Sequence, residues 1–242
     1  MAPIRLQAPS TQSLSQLSLL SQDTFARFGD VIENPAPSLV PSKDLKVTPP
    51  GAVLGNQGSA LVYSDVSIPT DLGGTGKNVM RMFVCAPRSL QPSKDSSLAG
   101  ILSITILERH PYTTQTFIPL GLSAAEAKET RYLVIVAPTL PPTLDDEHLP
   151  VPTKAKRGLP DIRNIEAFTA NGSQAVTYGP GTWHAPMIVV GKKPISFVVT
   201  QAVSGVAIKD CQEVDWKAEK GREVVVAVPK EVRSNSLWTS KL

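Results

Sequence analysis

A chain of 242 residues can bury a sizeable core without disulfide staples. Apolar residues make up 41% and charged residues 19%, which excludes a disordered chain, and no apolar run approaches the roughly 20 residues of a membrane-spanning helix, so a soluble protein with no membrane partner is expected. The 24 Lys+Arg and 21 Asp+Glu are spread along the whole length and form no basic stripe, which disfavours nucleic acid as a partner.

The first twenty residues alternate Ser, Gln and Leu without the apolar core of a secretory signal, so an intracellular protein is expected. Ser21 to Phe28 has a capping serine, an acidic first turn and Phe25 and Phe28 three apart, with Gly29 as a stop; the pattern predicts one short helix. Leu39 to Pro50 is proline-rich, and 22 prolines in all limit long helices. Apolar β-branched runs then alternate with turn residues: Ala60–Tyr63, Val79–Val84, Gly100–Leu107, Thr113–Leu120, Tyr132–Ala137, Ile162–Thr169, Gln174–Tyr178, Thr182–Val190, Ile195–Val203 and Glu223–Val228. Their close spacing, with only Ser123–Arg131 helical in composition, predicts an all-β antiparallel barrel or sandwich. The long charged stretch Pro138–Gly158 reads equally as a mobile lid near a site or as a solvated insertion. Cys85 and Cys211 form no CxxC pair and are expected to be reduced. Residues 1–232 are expected to make a single catalytic domain and 233–242 a flexible tail. That tail ends in Ser240, Lys241 and Leu242, the tripeptide read by the peroxisomal import receptor, so a peroxisomal location is expected.

Two constellations carry chemistry. In Glu108-Arg-His110-Pro-Tyr-Thr-Thr-Gln115, period-two alternation puts Glu108 and His110 on one face, and Pro111 turns the chain so that Gln115 returns on the next strand. A carboxylate, an imidazole and an amide can then converge; the bland alternative is a salt-bridged surface hairpin. In Tyr178-Gly-Pro-Gly-Thr-Trp183-His184, the Gly-Pro-Gly turn permits a tight reversal, and His184 follows on a strand that becomes strongly apolar. A buried imidazole there either does chemistry or is a structural histidine satisfied by one backbone bond. His148 is most simply a solvated loop histidine.

Together the two blocks resemble the paired motifs of the cupin superfamily, with Glu108, His110, Gln115 and His184 as inward groups. More specifically, the sequence is similar to ureidoglycolate lyases, bacterial and fungal enzymes of allantoin breakdown. The likeness rests on Phe25-x-x-Phe28-Gly-Asp-Val-Ile-Glu33, Gly55-Asn56-Gln57-Gly58, Arg81-Met-Phe-Val-Cys85, Glu108-Arg-His-Pro111 with Gln115-Thr-Phe-Ile-Pro119, and Thr177-Tyr178-Gly-x-Gly-Thr-Trp183-His184-Ala-Pro-Met-Ile188. It covers about residues 20 to 215.

The resemblance implies a cupin-type double-stranded β-helix, a homodimer, and cleavage of ureidoglycolate to glyoxylate and urea in purine catabolism. Cleaving such a substrate needs a base and an acid beside one carbon, which suggests site roles. His184 and His110 handle protons, and Glu108 sets the tautomer of His110 or accepts a ureido N–H. Arg81 clamps the substrate carboxylate, Asn56, Gln57 and Gln115 read the ureido group, and Tyr178 and Trp183 supply a wall and a polar edge. Family members often carry a lysine where this chain has Leu159, so Lys154, Lys156 or Arg157 of the preceding loop could substitute, and Lys156 is the one expected among the catalytic residues. No cofactor is expected to be required, although His110, Gln115 and His184 could hold a divalent metal. Competing expectations are an ammonia-releasing amidohydrolase on the same substrate, and a non-catalytic or metal-dependent cupin that binds a small carboxylate.

Overall fold

The structure is a computed structural model and describes residues 3–10, 12–14, 17–152, 157–219 and 222–231. Its principal strands are β1 (Gly29–Glu33), β2 (Lys77–Cys85), β3 (Leu98–Ile104), β4 (Ile106–Arg109), β5 (Gln115–Leu120), β6 (Thr130–Ala137) and β7 (Glu166–Ala170). They continue with β8 (Gln174–Tyr178), β9 (Trp183–His184), β10 (Ile188–Gly191), β11 (Ile195–Val203), β12 (Gln212–Asp215) and β13 (Val224–Pro229). The central sheet runs Ile4–Arg5, β12, β4, β9, β6, β7 and Ser18–Leu19, and β10 pairs with β6 beyond the end of β9. A five-stranded sheet is ordered β1-β8-β5-β11-β2, and a three-stranded sheet joins Gln12–Leu14, β13 and β3.

Strand β6 shows how these layers stack. Every residue from Thr130 to Ala137 is buried, and alternate side chains enter two different cores. Tyr132, Val134 and Val136 pack with Phe117, Val176 and Phe197 of the five-stranded sheet, forming the barrel interior. Leu133, Ile135 and Ala137 pack with Leu102, Ile104, Val224 and Val226 of the three-stranded sheet. Each buried Leu, Ile or Phe side chain contributes about 1.5–3 kcal/mol, so an apolar strand without alternating polarity is stable only when covered on both faces. The barrel interior is filled by edge-on aromatic contacts: Phe25 with Phe168 at 5.6 Å, Phe117 with Phe197 at 5.9 Å and Tyr132 with Phe197 at 5.3 Å between centroids. Packing of this kind leaves the polar groups to collect where Tyr178 meets His184.

The all-β expectation holds, with shifts at several boundaries. The run Gly100–Leu107 divides at Thr105 into β3 and β4, which join different sheets, and the Thr105 carbonyl accepts from Trp216 N–H at 3.0 Å. The run Thr182–Val190 is broken around Pro186, which has no N–H to give a ladder. The predicted helix shrinks to Gln22–Phe25, capped by Ser21 Oγ accepting from Thr24 N–H at 3.3 Å. Ser123–Arg131 holds only a 3-10 turn, Ala124–Lys128, and the run Ile162–Thr169 becomes a strand only at Glu166. The stretch Pro138–Gly158 is tied down in its described part. Leu149 is buried, the Pro150 carbonyl accepts from Gln212, and the Gly158 carbonyl accepts from Arg109 and Trp183. Cys85 and Cys211 are both free thiols. The tail 233–242 lies outside the described residues. Among the described residues, no helix is long and apolar enough to cross a membrane.

Candidate active site

His184 stands at the centre of the polar cluster because of its register. On β9 it lies directly opposite Glu108 of β4 on one side and Val136 of β6 on the other, so all three share the barrel-facing side of the central sheet. The turn before it is set by Gly181 at φ +82°, a left-handed conformation that favours glycine. Gly181 N–H donates to the His110 carbonyl at 2.8 Å, which ties the two histidine segments together through the backbone. The rings lie 5.4 Å apart between centroids, and both residues are buried.

Hydrogen bonding decides which face of each ring is chemically available. His110 Nδ1–H donates to the Asp210 carbonyl at 2.6 Å, and His184 Nδ1–H donates to the Thr182 carbonyl at 2.9 Å. A carbonyl oxygen only accepts, so both Nδ1 atoms carry hydrogen and both neutral rings present an Nε2 lone pair. Neither Nε2 has a hydrogen-bond partner among the described residues. His184 Nε2 lies 3.5 Å from Glu108 Oε1, and the Oε1 atom of buried Gln115 is likewise without a partner. The Gln115 amide lies close enough to His110 to favour its charged form, while Gln115 Nε2–H donates to Gln201 Oε1 at 3.4 Å. Four acceptors therefore face one small volume. Such a set calls for a donor-rich ligand, a proton or a cation.

The two imidazoles are not electrostatic equals. Burial, followed by repulsion from His184, pushes His110 down to about 4, against weaker support from Glu108 and the Asp210 carbonyl. For Glu108, burial acts upward, but its contacts with His184, His110 and Cys211 leave the carboxyl below its ordinary value. Tyr178 stacks on His184 with ring centroids 3.9 Å apart and planes 10° from parallel, and burial raises its phenol far above the usual range. Tyr178 thus holds the His184 ring flat and stays neutral.

The cluster gathers five of the residues expected from sequence: Glu108, His110, Gln115, Tyr178 and His184. Glu108, however, is registered with His184, and the tautomer of His110 is set by a backbone carbonyl instead. Trp183 corrects the expected wall. Strand alternation sends it to the opposite face of the sheet, where Arg109 lies 4.5 Å over its ring and Gly158 accepts from its indole. Arg81 is exposed on β2, opposite Val199, at the free edge of the five-stranded sheet. Asn56 and Gln57 are exposed at the turn of the hairpin Ala52–Gly55/Ala60–Tyr63, which joins neither large sheet. Both take left-handed backbone, φ 48° and 60°, and the structure does not bring them to the imidazoles. Leu159 packs against the core behind the central sheet, away from the cluster, and Lys156 lies outside the described residues.

Gln201, Asp210, Cys211 and Glu213 are the additions that sequence reasoning missed. Glu213 is registered beside Glu108, and Cys211 Sγ donates to Glu108 Oε2 at 3.8 Å. Cys211 and Glu213 line a cavity of about 240 Å³ together with Ile4, Leu149 and Ile208. A larger groove, about 580 Å³, lies between the hairpin and the five-stranded sheet, around Val62, Tyr63, Val66 and Ile118, and contains none of the clustered groups. The ligand atoms of Glu108, His110 and His184 lie within 4.8 Å of one another, so this donor set fits a divalent ion, with Glu108 as the carboxylate of the trio.

Comparison with known proteins gives a consistent relationship. The sequence profile of a family described as Ureidoglycolate lyase matches residues 12–222. The chain is 35% identical over 199 residues to the ureidoglycolate lyase of Schizosaccharomyces pombe, covering 80% of this chain and 86% of the relative. It is 36% identical over 180 residues to that of Saccharomyces cerevisiae, covering 72% and 77%. A Burkholderia mallei ureidoglycolate lyase is 27% identical over 186 residues, covering 77% and 81%.

Proposed function

The chain belongs to the ureidoglycolate lyase family, and from that premise and the site geometry we propose that it cleaves ureidoglycolate to glyoxylate and urea, in allantoin and purine catabolism. The observation that carries the chemistry is the pair of buried, partnerless Nε2 atoms on rings 5.4 Å apart, one of them 3.5 Å from a carboxylate.

Ureidoglycolate has one carbon bearing a hydroxyl, a carboxylate and a urea nitrogen. Its cleavage removes the hydroxyl proton, turns the C–O bond into the aldehyde C=O of glyoxylate, breaks the C–N bond and places a proton on the departing nitrogen. The unequal surroundings of the imidazoles assign these tasks. His110, which burial keeps neutral, accepts the hydroxyl proton at Nε2. His184, with the Glu108 carboxylate 3.5 Å from its Nε2, holds a proton there and delivers it to the ureido nitrogen. The hydroxyl and ureido N–H groups of the substrate complement the remaining acceptors, His110 Nε2, Glu108 Oε1 and Gln115 Oε1. Its carboxylate then points away from Glu108, toward the five-stranded sheet. Arg81 is the proposed clamp there: its register with Val199 and Phe117, both core residues of the barrel, puts it on the barrel-facing side of its strand. Proton transfer of this kind supplies about 10²- to 10⁴-fold, and orientation in the closed barrel supplies the remainder. If a divalent ion is held by Glu108, His110 and His184, it supplies Lewis-acid polarisation of a substrate oxygen.

The test is an early, urease-free product assay on the purified protein, with and without chelator. Urea and glyoxylate in equal amounts are expected. Ammonia as the first nitrogen product would replace this reading with an amidohydrolase, no turnover would leave a carboxylate-binding cupin, and loss of activity on chelation would make the ion essential.

The homodimer and the peroxisomal location are also proposals. The first is supported by the apolar outer side of β2 and β5, where Met80, Met82, Val84, Ile118 and Leu120 are exposed. The second rests on Ser240, Lys241 and Leu242, and import of a fluorescent fusion that stops when Leu242 is removed is the result it requires.

A further inference from the structure

One short turn, Ser204–Cys211, touches two of the four clustered groups, His110 and Glu108, and reaches a third, Gln115, through Gln201, with atoms that the proposed chemistry leaves unused. The Asp210 carboxylate folds the turn: Oδ1 accepts from Ser204 N–H and Ser204 Oγ–H, each at 2.7 Å, and Oδ2 accepts from Gly205 N–H at 2.8 Å. Helical bonds close it, Asp210 N–H to the Val206 carbonyl at 2.9 Å and Cys211 N–H to the Ala207 carbonyl at 2.8 Å. The Asp210 carbonyl so placed accepts from His110 Nδ1–H at 2.6 Å and from Gln201 Nε2–H at 3.5 Å.

Each contact fixes an orientation. The first sets the His110 tautomer and aims its lone pair into the barrel. The second commits the Gln201 amide, whose nitrogen also donates to Thr113 Oγ1 at 3.3 Å, so that its oxygen is left to accept from Gln115 and the Gln115 oxygen faces the site. Next in sequence, the Cys211 thiol donates to Glu108 Oε2, while Oε1 of the same carboxylate faces His184. Burial and the neighbouring carboxylates raise that thiol to about 12, so it remains a donor.

We propose that the turn Ser204–Cys211 is the positioning element of the acid–base cluster, with Asp210 and Cys211 as its positioning residues. The kinetic consequence rests on the lyase reading; the orientation itself does not. A ring freed from the carbonyl returns to the mixture of tautomers usual in water, and a carboxylate freed from the thiol turns away from His184.

The test combines long-range ¹H–¹⁵N correlation spectra of the three histidines in the full chain with steady-state kinetics on ureidoglycolate. In the parent, both Nδ1 atoms are expected to carry hydrogen, and His110 is expected as the Nδ1–H tautomer with a bare Nε2. Asp210→Ala is expected to release His110 from its single tautomer while His184 keeps its own, and to lower kcat by about 10- to 100-fold with KM nearly unchanged. Cys211→Ala is expected to lower kcat by about tenfold, and Cys211→Ser, which restores a donor, to recover most of it. An Asp210→Ala protein with an unchanged His110 tautomer and a normal kcat, or an inert Cys211→Ala, overturns the proposal even if melting temperature falls. If Asp210→Ala does not fold, Asp210→Asn and the two Cys211 variants decide it. A parent that does not turn over ureidoglycolate refutes the lyase reading, and the tautomer spectra still decide the positioning.

Discussion

The residue that most constrains the chemistry is His110, because its surroundings make protonation costly in the folded state alone. Burial, then His184, depresses its folded-state value to about 4 from an ordinary 6.5. As pH falls through 6.5 the unfolded chain takes up a proton that folded His110 refuses. Stability is therefore complete above that value, declines toward pH 4, and has no further loss from this group below it. Chemical denaturation at a series of pH values should show this decline in the parent and a shallower one in His110→Gln; parallel pH profiles for the two proteins would contradict the assignment. At this scale Glu108, His110, Gln115, Tyr178 and His184 were legible, since scarce histidines beside a glycine turn on alternating strands leave few places for them to point. Trp183 was misplaced because its residue type outweighed its parity: positions 183 and 184 cannot share a face of a strand. The Asp210 and Thr182 carbonyls were invisible, as every residue carries a carbonyl and no sequence pattern marks the two that fix the rings.

At the scale of elements, the same period-two rule explains both the accuracy and the errors. Strand β6 is apolar from Tyr132 to Ala137 without a break, a pattern that announces burial on two faces without naming the partners, and those turn out to be the five- and three-stranded sheets. Thr105 sits inside an apolar β-branched run, so nothing local warns that β3 and β4 part company there. Strand β2 carries its own signal. Phe83 meets Phe117 at 5.8 Å on one side of the strand although it is 38% exposed, while Met82 and Val84 lie on the other side and are 57% and 66% exposed. A sheet face so apolar at an edge strand fits a second copy of the chain. Replacing both Met82 and Val84 with Lys should convert a dimer into a folded monomer in light scattering; a parent that is already monomeric, or a variant that stays dimeric, would remove this face from consideration.

For the whole molecule, two facing sheets bring side chains from distant parts of the sequence to one end of a barrel whose other end is packed with aromatic rings. Three strand-borne groups, one from a connection and a late turn meet there: β4 supplies Glu108, the β4–β5 connection His110, β5 Gln115, β9 His184, and Ser204–Cys211 braces them from outside. The segment that closes the arrangement comes last in the chain order, beyond both signature blocks, which is why a motif search stops short of it. In the proposed chemistry the two imidazoles act as one unit, and a double-mutant cycle on glyoxylate release measures that directly. His110→Asn and His184→Asn should each lower kcat by about 100-fold or more, and the double variant should be only a few-fold worse than the more damaged single. Near-parental turnover in either single variant, or losses that multiply as they do at independent sites, would contradict it.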